Sequence, residues 1–191
     1  MPRRCWISCA DRPADLPDRA APSALPKARS WDTPADTSTA NGAMADPVVA
    51  LVADHAGFEL KNALKGVLDE RGFTTVDLGP HDADPVDYPD MARKLALALR
   101  DGDAQRGVLI CGTGIGVGIA ANRYPWIRAA VCSDVTAARL AREHNDANVL
   151  ALGARLIGPE VARDCLLTFL GTGFAGGRHA RRVAKLSTIE P

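Results

Sequence analysis

Short apolar runs alternate with segments of helical periodicity along most of this chain. The runs have the length and continuity of strands that are buried on both faces, whereas the segments between them place apolar residues on one side of a helix. The predicted strands cover residues 48–53, 73–78, 108–110, 127–132 and 149–152, and the predicted helices cover 56–71, 90–100, 134–143, 159–170 and 177–189. A stretch rich in proline and aspartate, 79–89, predicts an irregular loop.

The alternation of five strands with helices predicts an α/β fold with one parallel sheet. Parallel strands need crossover connections, and right-handed crossovers carry helices across both faces of the sheet. We therefore expect three layers, α/β/α, around a five-stranded parallel sheet. In such a sheet, ligands bind in the crevice beyond the carboxyl ends of the strands.

The first 46 residues differ from the rest in composition. Seven of the 13 prolines lie at or before Pro47, and aliphatic residues are few, so residues 1–46 are predicted to be a disordered extension and residues 47–191 a single domain. Arginines in the extension would suit a transit peptide, but six aspartates contradict the acid-poor composition of such segments. Because Met44 lies just before the first strand, we expect it to be the natural start, which the intact mass of the native protein would test.

Composition narrows the classes of function. The 191 residues carry 23 basic and 23 acidic side chains, so no excess of positive charge favours nucleic acid or a membrane surface as a partner. No apolar run approaches the roughly 20 residues that span a bilayer. An odd number of cysteines, five, suits reduced thiols in the cytoplasm better than a disulfide framework. We expect Cys132 and Cys165 to be small buried hydrophobic residues.

The most distinctive stretch, VLICGTGIGVGIAANR, runs from Val108 to Arg123. Glycines at 112, 114, 116 and 118 follow a buried strand and would expose backbone N–H groups to an anion. Their spacing does not fit the dinucleotide fingerprint, although Asp134 lies where a dinucleotide fold has its ribose-binding acid, which leaves a nucleotide site open. The alternative is that the glycines only allow tight packing between strand and helix.

Cys111 stands at the end of that strand, beside the glycine amides. Backbone N–H groups at the start of a helix stabilise a thiolate, so this thiol is a candidate base or nucleophile. The same amides could hold an oxyanion that develops on a substrate.

Asp54 and His55 follow the first predicted strand, on the same edge as Cys111 if the two strands are neighbours. The alternative is that Asp54 caps the following helix and His55 is a surface residue. His144 ends a helix and is a candidate acid–base group, unless the segment only provides a helix C-cap at Asn145.

Arg178 and Arg182 are four residues apart and therefore share one helix face. Such a pair suits a grip on a phosphate, and the alternative is a solvated basic face. His179, which lies between them, is expected only to be solvated.

Six separated motifs resemble, in order from about Val48 to Glu190, the type B ribose-5-phosphate isomerases and their sugar-phosphate isomerase relatives. The motifs are VADHAGFELK, VDYP, LICGTGIGVGIAANR, IRAAVCSD, AREHNDANVLALGAR and GGRHARRV. The resemblance implies an aldose–ketose isomerase of Rossmann-like fold that needs no cofactor or metal and works in the cytoplasm as a homodimer or tetramer. It also implies a small sugar phosphate of the pentose phosphate pathway as the partner, with no nucleic acid or membrane.

The resemblance also implies roles for matching residues. Cys111 would move a proton between C1 and C2 of the open-chain sugar through an enediolate, and His144 would assist opening of the furanose ring. The amides from Gly112 to Gly116, with Thr113, would form the anion hole. The implied substrate-binding residues are Asp54, His55, Gly112, Gly114, Ile115, Gly116, Asn145, Arg155, Arg178 and Arg182. In the family, His144 and the arginines reach the site from the partner subunit.

Some relatives replace the cysteine by a glutamate later in the glycine loop, and here Val117 stands at that place, so the chain resembles the cysteine type. Two alternatives in function stay open. One is an isomerase of a hexose 6-phosphate, such as allose or galactose 6-phosphate, which would use the same chemistry. The other is a non-catalytic module that binds a nucleotide or sugar phosphate, against which the set of Cys111, His144 and the arginines argues, since binding alone needs no thiol.

Overall fold

A computed structural model describes residues 47–186 of the chain. The predicted extension, 1–46, and the end of the last predicted helix lie outside this range. The strands are β1 (Val49–Ala53), β2 (Thr75–Asp77), β3 (Arg106–Cys111), β4 (Ala129–Val131) and β5 (Val149–Gly153). The helices are α1 (Phe58–Glu70), α2 (Tyr88–Asp101), α3 (Ile115–Ala121), α4 (Val135–Asn145), α5 (Pro159–Gly171) and α6 (Arg178–Leu186). The five strands form one parallel sheet, as predicted, and their order in it is β2-β1-β3-β5-β4.

Each face of the sheet has its own hydrophobic core. Successive side chains of β1 alternate between them, Leu51 packing with residues of α1, α4 and α5 and Val52 with residues of α2 and α3. Burial on both faces explains why the strand sequences are continuously apolar. The predicted α/β/α arrangement is therefore confirmed. None of the helices in residues 47–186 is long and apolar enough to cross a membrane.

Several element boundaries differ from the prediction. The irregular loop ends early, because α2 begins at Tyr88 and accepts Pro89 in its first turn, where N–H groups have no partner within the helix. The helix expected from residue 56 begins instead with a 3-10 turn, His55–Gly57, which the Asp54 carboxylate caps. The two edge strands, β2 and β4, have only three residues each.

Aspartates fix both ends of α4. The Asp134 carboxylate accepts a hydrogen bond from the N–H of Ala137 at 2.8 Å and so caps the start of the helix. At the other end, Asp146 leaves the helix with a φ of 44°, in the left-handed region. The C-cap considered at Asn145 is therefore wrong, since Asn145 is the last residue of α4 and Asp146 is the cap.

A side chain covers the outer edge of β4. The Asn122 carboxamide accepts a hydrogen bond from the N–H of Ala129 at 2.8 Å and donates one to the carbonyl oxygen of Ala129 at 2.9 Å. It pairs with the strand backbone in the way that a neighbouring strand would.

Because the strands are parallel, the segments that follow them lie at the carboxyl edge of the sheet, and the segments that precede them lie at the opposite, amino edge. At the carboxyl edge, Ala53 of β1 pairs with Ile110 of β3, and Cys111 pairs with Gly153 of β5. Helix α4 runs back to the amino edge and ends shortly before β5 begins at Val149. Helix α5 likewise starts after β5 and runs back, so that α6, which packs against α4, begins near the amino edge.

Candidate active site

The thiol of Cys111 is buried where β3 ends. The residue is 5% exposed, and its Sγ atom accepts a hydrogen bond from the backbone N–H of Gly114 at 3.1 Å. An amide donor aimed at sulfur is the arrangement that stabilises a thiolate. The glycine loop therefore supplies the donor that the sequence predicted beside this thiol.

Two glycines interlock beneath that loop. Gly114 has a φ of 75°, and a Cβ atom on it would lie 2.9 Å from the carbonyl carbon of Leu152. A Cβ atom on Gly153 would lie 2.6 Å from the carbonyl oxygen of Thr113. Backbone meets backbone at both points, which only glycine permits. The packing interpretation is therefore correct for Gly114, which at the same time points its N–H at Cys111.

The loop keeps amide donors that the fold does not use. Ile115 donates its N–H to the hydroxyl oxygen of Thr113 at 3.3 Å, whereas the N–H groups of Gly112 and Thr113 find no acceptor among residues 47–186. Thr113 and Ile115 are exposed, and Gly112 and Gly116 are partly so. An anion over the loop would thus meet amide donors and a hydroxyl beside the thiol.

Asp54 and His55 lie next to this loop, after the neighbouring strand. The Asp54 N–H donates to the carbonyl oxygen of Ile110 at 3.0 Å, which ties it to the residue before Cys111. Its buried carboxylate accepts from the N–H of Gly57 at 3.0 Å, so the capping interpretation is correct for Asp54. His55 is exposed on the same edge.

Arg155 lies beside the glycine loop of its own chain. Its N–H donates to the carbonyl oxygen of Gly112 at 3.0 Å, and its side chain passes 3.5 Å from the place where a Cβ atom on Gly112 would be. The resemblance grouped Arg155 with the arginines that would reach the site from a partner subunit, and within one chain it lies beside Gly112, next to Cys111. We call Asp54, His55, residues 111–116 and Arg155 the cysteine cluster.

Tyr88 is a site neighbour that the sequence reasoning did not select. Its ring atoms lie 3.0 to 3.4 Å from the position of a Cβ atom on Gly116, at the start of α3, and the residue is 43% exposed. Tyr88 belongs to the VDYP motif, one of the six that carry the resemblance.

A second cluster forms where the end of α4 meets the start of α6. The rings of His144 and His179 stack with centroids 4.2 Å apart and planes 5° apart, and Arg178 Nε lies 3.4 Å from His179 Nε2. Desolvation lowers the pKa of His179, and repulsion from His144, Arg178 and Arg182 lowers it further. His179 was expected only to be solvated, and this expectation is wrong because its ring is half-buried in the stack. We call His144, Asn145, Arg178, His179 and Arg182 the histidine cluster.

The charges of the two arginines in the histidine cluster are not paired with carboxylates of residues 47–186. Arg178 and Arg182 are exposed, and neither forms an ion pair with a carboxylate of residues 47–186. Two guanidinium groups on one helix face, without a carboxylate between them, attract a phosphate.

The two clusters do not meet within one chain. Cys111 pairs with Gly153 at the end of β5, whereas Asn145 precedes Val149 at its beginning. The five residues of β5 set the two edges roughly 16 Å apart, at about 3.3 Å per residue. Side chains at this separation cannot contact one small ligand together.

The other described cysteines fit the expectation of buried, free thiols. Burial, with repulsion from Cys165 and Asp134, raises the pKa of Cys132 to about 12, which keeps that thiol protonated. Burial also raises the pKa of Cys165. Within residues 47–186, no group of three or more His, Cys, Asp or Glu side chains is arranged to hold a metal ion.

Comparison with known proteins identifies the family. Residues 49–186 match the ribose/galactose isomerase family. The chain is 45% identical over 142 residues to ribose-5-phosphate isomerase B of Escherichia coli K12, covering 74% of this chain and 95% of the relative. The chain belongs to the ribose/galactose isomerase family. Another relative is D-erythrulose-4-phosphate isomerase of Pectobacterium atrosepticum, with 45% identity over 144 residues, 74% of this chain and 94% of the relative.

Solved structures of this isomerase family share the fold. A ribose 5-phosphate isomerase of Thermotoga maritima superposes with a TM-score of 0.73 at 48% identity, covering 75% of this chain and 99% of that one. Ribose 5-phosphate isomerase B of Anaplasma phagocytophilum gives 0.70 at 50% identity, covering 76% and 99%. The Rossmann-like fold and the family that the motifs indicated are therefore confirmed.

Proposed function

We propose that this protein interconverts ribose 5-phosphate and ribulose 5-phosphate through an enediolate, at a site that two copies of the chain complete. The observation that carries the proposal is the buried Cys111 thiol with the Gly114 amide 3.1 Å from its sulfur, in a chain of this isomerase family. Isomerisation of an aldose needs a base beside the carbonyl and hydrogen-bond donors for the oxygen that becomes negative. Such an enzyme serves the pentose phosphate pathway in the cytoplasm.

The cysteine cluster performs the proton transfer. The Cys111 thiolate removes the proton from C2 of the open-chain aldose, the electron pair of that bond forms the C1–C2 double bond, and O1 takes the negative charge. The N–H groups of Gly112 and Thr113, and the Thr113 hydroxyl, donate to O1. Return of the proton from sulfur to C1, with transfer of the O2 proton to O1, gives the ketose.

The histidine cluster supplies ring opening and the phosphate grip. His144 exchanges the proton between the ring oxygen and the anomeric hydroxyl of the furanose, and Asn145 orients a sugar hydroxyl. Arg178 and Arg182 hold the phosphate, which does not react but fixes the sugar in place. Desolvation and the charges of His144, Arg178 and Arg182 lower the pKa of His179, which favours the neutral form of the ring stacked on His144.

The remaining residues of the cysteine cluster bind the sugar from the other side. Asp54 and His55 lie within reach of hydroxyl groups next to the reacting carbons, because the Asp54 N–H is bonded to the residue before Cys111. Arg155 adds a positive charge above Gly112.

An exposed apolar surface beside the glycine loop supports a site shared by two copies. Ile115 and Ile119 lie on one face of α3 and are 53% and 63% exposed, and Val131 and Val135 nearby are 48% and 40% exposed. A surface of this kind is typical of a protein–protein interface. A second copy seated there would bring its histidine cluster to this chain's cysteine cluster, in a homodimer or a pair of dimers.

Substrate preference is tested with the purified full chain. We expect the highest kcat/KM with ribose 5-phosphate, measured beside allose 6-phosphate, galactose 6-phosphate and erythrulose 4-phosphate. The hexose phosphates are the second candidate class, because the matching family is described by both ribose and galactose. A higher kcat/KM with any of the other three sugar phosphates, or no turnover of any of the four, would overturn the proposed substrate.

The shared site is tested with mixed dimers. C111A and H144A chains carrying different affinity tags are co-expressed, and the mixed dimer is purified over both tags. One of its two sites then has an intact Cys111 and an intact His144, so we expect about half of the wild-type activity in a symmetric dimer. Activity as low as that of the two parent variants would refute a site built from two chains.

A further inference from the structure

We propose that Arg142 is a positioning residue, which holds the two segments of the histidine cluster in one geometry; this inference rests on the proposed function. Arg142 lies on α4 two residues before His144, yet it is only 3% exposed. A buried guanidinium is costly unless its charge is paired and its N–H groups find acceptors. The arrangement of those acceptors shows what the side chain does.

The guanidinium of Arg142 bonds to the ends of two different helices. Its Nη1 donates to Asp146 Oδ1 at 2.7 Å and to the carbonyl oxygen of Ala147 at 2.6 Å, both just after α4. Its Nε donates to the carbonyl oxygen of Thr172 at 3.3 Å, just after α5. The group also lies 5.7 Å from the centre of the Phe169 ring, so it packs against the α5 core.

The two bonded segments are the ones that carry the histidine cluster. The end of α4 carries His144 and Asn145, and the segment from Thr172 leads directly into α6, which carries the arginines. A backbone bond from the N–H of Ala175 to the carbonyl oxygen of Glu143, at 3.0 Å, joins the same two segments beside Arg142. Arg142 therefore sets the distance between the ring-opening histidine and the phosphate grip.

Asp146 makes this arrangement rigid. Its carboxylate accepts from Arg142 on one oxygen and from Arg128 Nη2 on the other, at 2.8 Å, and its carbonyl oxygen accepts from Arg128 Nε at 2.9 Å. The charge of Arg142 is thus neutralised by a group that is itself fixed from the start of β4. A lysine could keep one ion pair, but a single ammonium cannot reach both helix ends as the planar guanidinium does.

The first arm of the test compares R142K with R139K, a matched control on the same helix. Arg139 is exposed and pairs with Glu143 across one helical turn. We expect R142K to raise KM and to lower kcat/KM for ribose 5-phosphate by about a hundredfold, since small displacements of binding groups have effects of that size. R139K keeps the wild-type values. Equal kinetics of R142K and the wild type would overturn the proposal.

The second arm separates positioning from a general loss of folding, again with mixed dimers. C111A paired with R142K has one site with an intact cysteine cluster and an intact histidine cluster, so it recovers about half of the wild-type activity, whereas H144A paired with R142K recovers none. If C111A with H144A is active but C111A with R142K is not, damage from R142K reaches the cysteine cluster and the positioning role is refuted. If C111A with H144A and C111A with R142K are both inactive, the proposal of a site built from two chains is refuted. The kinetics of the R142K homodimer then still decide the role of Arg142.

Discussion

The backbone N–H of Gly114 donates to the sulfur of Cys111 at 3.1 Å, and this bond joins the candidate base to the loop that would hold the oxyanion. Base and oxyanion donors are consequently parts of one turn between β3 and α3. A change at either residue alters the reaction through a different physical effect, which allows the two to be tested apart.

Replacing Cys111 by alanine removes the base and leaves the loop backbone in place. We expect kcat to fall by about 10³-fold or more, since a positioned base contributes on the order of 10²–10⁴. Binding of ribose 5-phosphate, measured by calorimetry, should change little because the variant leaves the proposed phosphate-binding arginines unchanged. C132A serves as the control, since that thiol is buried away from the loop, and it keeps the wild-type kcat. Undiminished turnover by C111A would refute the proposed base.

Gly114→Ala places a side chain where the backbone is already in contact. The left-handed conformation costs about 1–2 kcal/mol for a residue with a Cβ atom, and the contact with Leu152 adds strain. We expect a lower free energy of unfolding in urea and a large loss of kcat. In the control, Gly66→Ala, a Cβ atom meets nothing within 4 Å in the interior of α1 and stabilises the protein by about 0.5–1 kcal/mol. Equal stability changes in the two variants would contradict the interlocking of Gly114 with β5.

His144→Ala is expected to separate ring opening from proton transfer. Loss of the imidazole lowers kcat with cyclic ribose 5-phosphate much more than with an open-chain analogue, because only the cyclic sugar needs its ring opened. Steady-state kinetics with both compounds measure the ratio. Equal losses with the two would show that His144 serves another step.

Lys61 anchors the chain between β2 and α2. The residue is 1% exposed, and its Nζ atom donates to the Asp77 carboxylate at 2.7 and 2.9 Å and to the carbonyl oxygen of Pro80 at 2.8 Å. Lys61→Met leaves a half-buried carboxylate without its cation, and we expect a loss of about 3 kcal/mol in the free energy of unfolding. Lys65→Met, which removes an exposed pair with Asp69, changes it by less than about 0.5 kcal/mol. Similar values for both variants would contradict the anchoring role.

The same pair has a predictable pH dependence. Burial opposes ionisation of Asp77, but the hydrogen bonds from Lys61 and from the N–H of Gly79 outweigh it, so the pKa of this carboxyl lies below its ordinary value of 3.8. The unfolded state therefore binds the proton first as pH falls, and the stability from this pair is lost between the ordinary value and the lower folded value. Unfolding curves from pH 5 downward should show a smaller acid destabilisation in K61M than in the wild type.

The fold could be predicted because its signals are local. Fully buried parallel strands are continuous apolar runs, and the alternation with helices leaves few topologies, so β1, β3 and β5 were located within two residues of their observed bounds. The sequence pattern places Pro89 in the loop, because a proline is tolerated in a first helical turn only if the helix begins just before it, and the pattern does not show where α2 begins.

The site was predictable in part, for reasons that differ between residues. Cys111 and its glycines are contiguous, so their relation is visible in the sequence. The stack of His144 on His179 and the position of Arg155 beside Gly112 depend on how helices and strands distant in sequence pack together. The hydrophobic periodicity of the sequence carries no information about that packing. The burial of Arg142 was likewise hidden, since an arginine on a helix is more often solvated.

Asn122 occupies the outward-facing backbone groups of Ala129 at one edge of the sheet. With the N–H and carbonyl groups of Ala129 already bonded to its carboxamide, a strand from another molecule would have to displace that side chain before it could add a sixth strand at this position. Asn122 caps the end of α3, the helix that follows the glycine loop. In a protein whose proposed activity requires contact between copies, this side chain is an obstacle to strand-by-strand polymerisation at Ala129.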